Sequence, residues 1–160
     1  MRTGKKGTSS VYGQALRWIF IPLMAVMAFT GFGQMPIFKR YYISDIPGMG
    51  WSADFYLTHY IHYLGAIILL GLIIYAIVDY ILLGRRYCTL TISAYIRILF
   101  LAGIVVTGVF RVLKNLPNML FSPGFTLFID ISHLGFMMLY LFSALIFLLM
   151  KSGWLQPKNM

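Results

Sequence analysis

The chain has 160 residues, of which 60% are hydrophobic and 11% charged, and its mean hydropathy is +0.82. A soluble domain of this length could not bury so much apolar surface, so the composition excludes one and indicates a single integral membrane domain over residues 1–160. Thirteen Lys and Arg against four Asp and Glu give a net charge of +9. Because the basic residues fall between apolar segments, we assign them to membrane orientation and lipid headgroups, and expect no nucleic-acid partner.

Four apolar segments follow one another along the chain, and each reaches the roughly 20 residues that cross a bilayer. They cover residues 18–38, 52–83, 92–110 and 125–150. The first follows a basic N-terminus, as in a signal peptide, but no Ala-x-Ala-like cleavage site follows it, so we expect a retained helix. The pattern predicts an all-α membrane protein built as a four-transmembrane-helix bundle. No internal repeat is apparent.

The basic residues predict the orientation of these helices. Nine lie before the first helix, at the second connection or after the fourth helix, whereas four lie on the other side, at residues 39, 40, 111 and 114. The positive-inside rule then places both termini in the cytoplasm of a prokaryotic inner membrane, with residues 39–51 and 111–124 facing a periplasm. The single cysteine, Cys88, excludes an intrachain disulfide, a Cys-x-x-Cys-His haem attachment motif and a cysteine-ligated iron–sulfur cluster.

The three histidines, His59, His62 and His133, are the strongest indication of function. Imidazole is the usual protein ligand of haem iron, and an ionisable ring inside a bilayer indicates a functional site. His62 lies eight residues after Asp54 and His133 eight residues after Phe125. Both therefore lie about 12 Å into their helices. Matched depth on two helices predicts that His62 and His133 are the two axial ligands of one haem b.

Other interpretations of the histidines remain open. A histidine in a membrane helix can simply hydrogen-bond a neighbouring helix. His59 lies one turn from His62 and about 60° around the helix. It is therefore an alternative ligand in place of His62, a partner for a quinone or a haem propionate, or a residue that supports the ligands.

Polar and small residues near the histidines fit a tetrapyrrole. Four basic residues are candidates to neutralise haem propionates: Lys39, Arg40, Arg111 and Lys114. Alternatively, they are interfacial side chains that extend to the membrane surface. Asp130, one turn before His133, is a candidate for quinone binding or proton transfer, and Asp54 precedes His59. Both acids also suit the positive end of a helix dipole. Five glycines offer room for a flat macrocycle, with ordinary helix packing as the alternative: Gly31, Gly33, Gly65, Gly103 and Gly108.

From residue 16 to residue 154 the chain resembles the membrane cytochrome b subunits of formate dehydrogenase gamma type, whose relatives serve nickel–iron hydrogenases and thiosulfate-reductase-like complexes. The resemblance rests on short motifs: Arg17 before helix one, Thr30-Gly31 near its end, His62-Tyr63-Leu64-Gly65, Val106-Thr107-Gly108-Val109 and His133. It implies a four-helix bundle with b-type haem, electron exchange with a quinone pool, and a partner subunit bearing iron–sulfur clusters or several haems.

Two departures from that family point to a one-haem form. Trp18, not a histidine, follows Arg17, and residues 137–150 contain no second histidine. Both ligands of the family's inner haem are thus absent. Electrons entering at the inner leaflet would have to cross most of a hydrocarbon core of about 30 Å without a cofactor, so we expect the quinone to bind close to the single haem.

The sequence therefore predicts a membrane-anchor cytochrome b subunit that transfers electrons between menaquinone or ubiquinone and a redox partner on the periplasmic side. Such a chain is a subunit of an oxidoreductase complex rather than a complete enzyme. The alternative is a non-redox membrane scaffold or assembly subunit whose histidines pack or bind a metal. A transporter is less attractive, because four helices without a repeat do not match the usual transporter architecture.

Overall fold

The computed structural model describes residues 6–35 and 42–158, with the side chains of the first helix described from residue 16. Four long helices dominate it: α1 Lys6–Gly33, α2 Phe55–Leu82, α3 Ile92–Leu113 and α4 Pro123–Leu149. All four are long and apolar enough to cross a bilayer. The protein is a multi-pass membrane protein with four candidate spans, which confirms the predicted helix number and type.

The end of α1 and the start of α4 differ from the predicted positions, and local backbone and side-chain preferences explain both differences. α1 ends at Gly33, five residues before the predicted end at residue 38. Glycine has low helix propensity, and the residue before Pro36 is disfavoured in helical conformation. α4 begins at Pro123, because proline suits the first helical position and the Ser122 side chain accepts a hydrogen bond from the Phe125 amide.

Asp54 caps α2. Its Oδ1 accepts hydrogen bonds from the backbone amides of Tyr56 at 2.9 Å and Leu57 at 3.2 Å. A carboxylate in this position satisfies amides that have no partner within the helix and favours the positive end of the helix dipole. Of the two roles that the sequence left open for Asp54, the structure shows the cap.

Residues 1–78 and 79–160 form two compact units, called unit 1 and unit 2 below. In unit 1, α1 and the first part of α2 contact each other through small residues. The Met27 thioether fills the place where Gly65 lacks a side chain, and Thr58 Cγ2 lies 3.4 Å from the position that a Gly33 Cβ would take. Phe29 packs against Trp51, with ring centroids 5.5 Å apart.

In unit 2, α3 and α4 form a hairpin in which the Phe136 ring covers Gly103, 2.7 Å from where its Cβ would be. Gly33, Gly65 and Gly103 are therefore covered by side chains of their own unit. At these three positions the structure supports ordinary small-residue helix packing.

Two short strands that the sequence analysis did not predict follow α2 and α4. Strand β1, Cys88–Leu90, pairs antiparallel with β2, Leu155–Pro157. The pairing places Cys88 opposite Pro157 and Leu90 opposite Leu155. This small sheet fastens the segment after α4 to the segment that leads into α3.

Arg97 closes the same end of unit 2. It is one of the nine basic residues that the sequence analysis assigned to the cytoplasmic side, and its side chain is buried. Its Nη2 donates to the backbone carbonyls of Ser152 at 3.0 Å and Gly153 at 3.2 Å, just past the end of α4. The guanidinium lies 4.4 Å from the Trp154 ring centroid and 5.3 Å from that of Phe147. The cation thus satisfies carbonyls at a helix C-terminus, where the dipole favours positive charge.

Candidate functional site

In unit 1, Thr30 of α1 holds the His62 imidazole. The Thr30 hydroxyl is buried and donates to the carbonyl of Val26 at 2.8 Å, one turn back in the helix. The 3.0 Å contact between Thr30 Oγ1 and His62 Nδ1 is a hydrogen bond in either ring tautomer. In the tautomer that carries a proton on Nδ1, this nitrogen donates to the hydroxyl oxygen and the lone pair lies on Nε2.

In unit 2, Thr107 of α3 holds His133 in the same way. The Thr107 hydroxyl donates to the Gly103 carbonyl at 2.6 Å, and its oxygen lies 2.9 Å from His133 Nδ1. The same holds for His133, whose Nδ1–H tautomer leaves the lone pair on Nε2. Each unit thus contains one histidine that is hydrogen-bonded through Nδ1 to a threonine hydroxyl, and we call these two contacts the Thr–His tethers.

A glycine follows each tether threonine, at the point where the imidazole approaches the helix backbone. His62 Cε1 lies 3.3 Å from the position that a Gly31 Cβ would occupy, and His133 Cε1 lies 3.4 Å from that of Gly108. The Thr-Gly dipeptide therefore presents both a hydroxyl acceptor and a side-chain-free surface to the ring. The ring occupies that space itself, so these two glycines hold the histidine close rather than leave an open slot.

The likeness between the units continues one turn along both helices. Gln34 lies four residues after Thr30, and His59 lies three residues before His62. His59 Nδ1 lies 3.2 Å from Gln34 Oε1, while Gln34 Nε2 donates to the Thr30 carbonyl at 3.3 Å. Because the amide nitrogen is committed to that carbonyl, Oε1 is the acceptor for His59 Nδ1–H.

Aromatic rings restrict the orientation of His59 as well. Its ring stacks on Phe55 with centroids 5.5 Å apart and meets the edge of Tyr63 at 4.6 Å. Gln34 and two aromatic rings therefore orient His59. Each of the other two histidines contacts a Thr-Gly dipeptide instead.

The corresponding positions of unit 2 are Arg111 and Asp130, which form an ion cluster together with Lys114. Arg111 Nε lies 3.1 Å from Asp130 Oδ1, and Lys114 Nζ lies 2.8 Å and 2.7 Å from the two carboxylate oxygens. Both cations predicted on this segment are thus joined through Asp130. The aspartate is an ion-pair partner at the same time as it is a neighbour of His133 along α4.

The predicted site residues fall into two groups. Unit 1 holds His59 and His62, whereas unit 2 holds His133, Asp130, Arg111 and Lys114. Lys39 and Arg40 lie outside the described residues. Among the described residues there is no group of three or more His, Cys, Asp or Glu that could hold a metal ion, so that part of the chain contains no structural zinc-type ligand set.

The sequence analysis missed the Thr–His tethers and the likeness between the two units. A signal was present, because Thr-Gly occurs in the first helix of each hairpin and the later helix carries a histidine near its start. The structure defines an all-α, multi-pass membrane protein with four apolar candidate spans. No protein-family model, curated protein or solved structure matches the chain.

Proposed function

We propose that the protein is a membrane-anchor cytochrome b subunit with one haem b, whose axial ligands are His62 and His133. The observation that carries this proposal is the repeated Thr–His tether. A metal-ligating histidine typically donates its second ring N–H to a fixed acceptor, which sets the tautomer, the ring orientation and the basicity of the ligating nitrogen. In the Nδ1–H tautomer each of the two residues would make that donation to a threonine hydroxyl, and Nε2 would be the ligating atom.

Unit 2 serves as an internal reference for choosing between His59 and His62. Its one histidine, His133, is bound by the threonine of a Thr-Gly dipeptide. His62 has the same arrangement, whereas His59 occupies the position that corresponds to Asp130. This correspondence supports His62 as the ligand and gives His59 another role.

Bound haem would supply a one-electron carrier, its iron cycling between Fe(III) and Fe(II). The chain's own contribution is to offer two imidazoles and to surround them with hydrocarbon. Ligation by both histidines would leave no open position for oxygen, which suits electron transfer. The chain is therefore an electron-transfer subunit of a larger oxidoreductase complex.

The wider setting of the subunit follows from its motifs and charges. The resemblance to formate dehydrogenase gamma-type subunits supports a partner on the periplasmic side that bears iron–sulfur clusters or several haems. The distribution of basic residues supports cytoplasmic termini in a prokaryotic inner membrane. The missing inner ligands support one haem per chain and a quinone, menaquinone or ubiquinone, close to it.

Within unit 1, His59 is the residue we propose for the quinone. His59 Nδ1 is hydrogen-bonded to Gln34 Oε1, which orients the ring, and a positioned imidazole is a suitable proton acceptor for a quinol hydroxyl. Asp130 was the other candidate, but Lys114 and Arg111 both bind its carboxylate. We therefore propose that His59 accepts the quinol proton and that Asp130 serves the ion cluster instead.

Purified protein and three single variants test the haem assignment. We expect a reducible b-type absorption signal in the wild type and in His59→Ala, and its loss in His62→Ala and His133→Ala with membrane insertion retained. The tethers would equally serve a scaffold whose histidines only join their helices. Purified protein without haem would favour that second candidate, and haem retained in all three variants would contradict the ligand assignment.

A separate measurement tests the quinone assignment in protein that retains haem. A quinol analogue is titrated against haem reduction in wild type, His59→Ala and Asp130→Asn. We expect His59→Ala to weaken quinol-dependent reduction and Asp130→Asn to leave it close to wild type. Unchanged reduction in His59→Ala would contradict the role of His59.

A further inference from the structure

The connection between α3 and α4 exposes large apolar side chains. Leu120 is 98% exposed, and Leu116 and Met119 in the same loop are exposed as well. Phe125 and Phe128, on the first turns of α4, are also exposed. We call these five residues the apolar loop surface. Exposed apolar side chains gathered in one place are typical of a site that binds another protein or the membrane.

Hydrogen bonds and ring contacts fix the shape of this loop. The backbone amide of Met119 donates to the Leu116 carbonyl at 3.2 Å. The Phe121 ring contacts both Phe110 and Phe125, with centroids 6.3 Å and 5.2 Å apart. The exposed side chains are thus carried on a defined turn that is packed on the helix ends. A surface that is ordered before it binds loses little conformational entropy on binding.

Charged residues mark where the hydrocarbon layer crosses unit 2. Asp130 on α4 and Lys151 just after it are 21 residues apart. At 1.5 Å per residue this separation is about 31 Å, which matches a hydrocarbon layer of about 30 Å. The side chains of the ion cluster are partly exposed, and such charges are costly within hydrocarbon. The ion cluster therefore lies at the boundary of the hydrocarbon layer.

The apolar loop surface lies beyond that boundary. α4 begins at Pro123, seven residues before Asp130. It therefore extends about 10 Å past the ion cluster. The loop joins this extension to the end of α3, next to Lys114. Because the headgroup layer on each face is only about 5–8 Å thick, the loop lies among the headgroups and in the water beyond them rather than in hydrocarbon.

The residue types of the loop favour a protein over lipid headgroups. Side chains that lie among headgroups are typically Trp and Tyr, whose rings carry a polar group. The described residues at the connection of unit 1 fit this pattern, since Tyr42, Trp51 and Tyr56 are exposed. Residues 115–129 of unit 2 contain neither Trp nor Tyr and no charged residue. Phe and Met without charge are typical of the centre of a protein–protein interface.

The ion cluster gives the apolar loop surface a positively charged border. Arg111 and Lys114 carry two positive charges, whereas Asp130 carries one negative charge. The Arg111 side chain is 35% exposed. Protein interfaces typically surround an apolar centre with a polar rim, and opposite charges across that rim favour the correct partner. The excess positive charge therefore favours a partner with acidic residues at the border of its contact region.

We propose that the apolar loop surface is the docking site of another protein, whose contact region has an apolar pocket for Leu120 and acidic residues at its border. Leu120 is the anchor of this interface, because it is the most exposed member of the surface and a few residues usually carry most of the binding energy. The proposal goes beyond the proposed function. It uses none of the histidines, so its test is independent of haem binding.

The access of water to a single cysteine tests the proposal. In a Cys88→Ser background, Leu120→Cys is compared with Asp45→Cys, an exposed position of unit 1. Each variant replaces the natural protein at its natural level of expression. A charged maleimide, which reacts with thiols only in water, is added to native membranes opened by freezing and thawing. It is also added to the purified full-length protein in vesicles made of lipid extracted from the same membranes.

We expect Leu120→Cys and Asp45→Cys to react at similar rates in the vesicles. In native membranes Leu120→Cys should react at least about tenfold more slowly than Asp45→Cys, as for a site that is covered about nine-tenths of the time. Because the two preparations contain the same lipids, this difference would be due to a protein that purification removes.

A second reporter tests the role of Leu120 as the anchor. Leu116→Cys lies on the same surface and should also react slowly in native membranes. Adding Leu120→Asp should restore its reaction, whereas adding Leu120→Met should not, because methionine keeps an apolar side chain of similar volume. Circular dichroism should show the same helix content in all three proteins, since Leu120 is almost fully exposed.

The other outcomes would overturn the proposal. Slow reaction of Leu120→Cys in the vesicles as well would place the surface in lipid or against other residues of the same chain. Rapid reaction in both preparations would show that nothing covers it. A reaction that slows in the vesicles as the protein-to-lipid ratio rises would identify a second copy of the chain instead of another protein. Slow reaction of Leu116→Cys that persists with Leu120→Asp would refute Leu120 as the anchor.

Discussion

Replacing a tether threonine by valine removes the acceptor for one histidine and keeps nearly the same side-chain shape. The i−4 carbonyls that receive the two hydroxyls also accept backbone N–H groups of their helices, so these carbonyls keep a partner. The principal loss in Thr30→Val or Thr107→Val is therefore the partner of an imidazole Nδ1–H. Thr→Ser at the same position keeps the hydroxyl and is the matched control.

The expected size of the effect follows from burial. A typical hydrogen bond contributes about 1 kcal/mol net, and a buried donor left without a partner costs about 1–3 kcal/mol. Changes to the outer-shell partner of a metal ligand lower metal affinity by roughly 10- to 100-fold. Thr30 is 0% exposed and Thr107 is 8% exposed, so water can replace the lost acceptor less readily at Thr30. We expect a loss of haem affinity near the upper end of that range for Thr30→Val and a smaller loss for Thr107→Val.

The assay is the rate of haem release to an excess of a haem-binding acceptor protein, with circular dichroism to verify helix content. Both valine variants should release haem faster than the wild type, and the serine variants should remain within a few-fold of it. Gln34→Leu, which removes the tether of His59 instead, should release haem at the wild-type rate. Wild-type release from both valine variants would refute the argument that these hydroxyls hold haem ligands.

The other predictions concern topology and packing. A reporter fused after Met160 should be active only in the cytoplasm, and periplasmic activity would refute the orientation derived from the basic residues. Arg97→Met should lower the free energy of unfolding by about 1–3 kcal/mol and expose the segment after α4 to protease, whereas Arg86→Met should not. Gly103→Ala should lower the thermal unfolding midpoint because its Cβ would meet the Phe136 ring, and Phe136→Ala should relieve most of that added loss. Additive losses in the double variant would contradict the stated contact.

The helices could be predicted from the sequence because apolar length alone decides whether a segment can cross a bilayer. The end of α1 was placed too late because the apolar residues continue past Gly33, where local backbone preferences stop the helix. The burial of Arg97 was not predicted, because it depends on carbonyls of Ser152 and Gly153, 55 and 56 residues away. Composition contains no information about such a contact.

The tethers depend on register between helices, which sequence spacing does not supply. Thr30 and His62 are 32 residues apart, whereas Thr107 and His133 are 26 apart. The connection between the helices is longer in unit 1, but the threonine and the histidine lie farther from the connection in unit 2. A comparison of the two halves of the sequence at one fixed spacing therefore does not detect the likeness between the units.

The side chains that pack against glycine also differ between the two units. In unit 1 the glycine, Gly65, lies on the later helix and Met27 on the earlier one, while in unit 2 Gly103 lies on the earlier helix and Phe136 on the later one. The large and small partners are thus exchanged between the helices. His62 lies seven residues after the start of α2 and His133 ten residues after the start of α4, so the two histidines are not at the equal helix depth that the sequence predicts. The hydroxyl that contacts each ring could not be inferred from the sequence.

The most direct test of the central claim is the coordination state of iron in the purified wild-type protein. We predict one haem b per chain, a low-spin six-coordinate electron paramagnetic resonance signal when oxidised, and no spectral change when carbon monoxide is added to the reduced protein, because two histidines occupy both axial positions. Rapid carbon monoxide binding, a high-spin signal or the absence of haem would contradict ligation by His62 and His133.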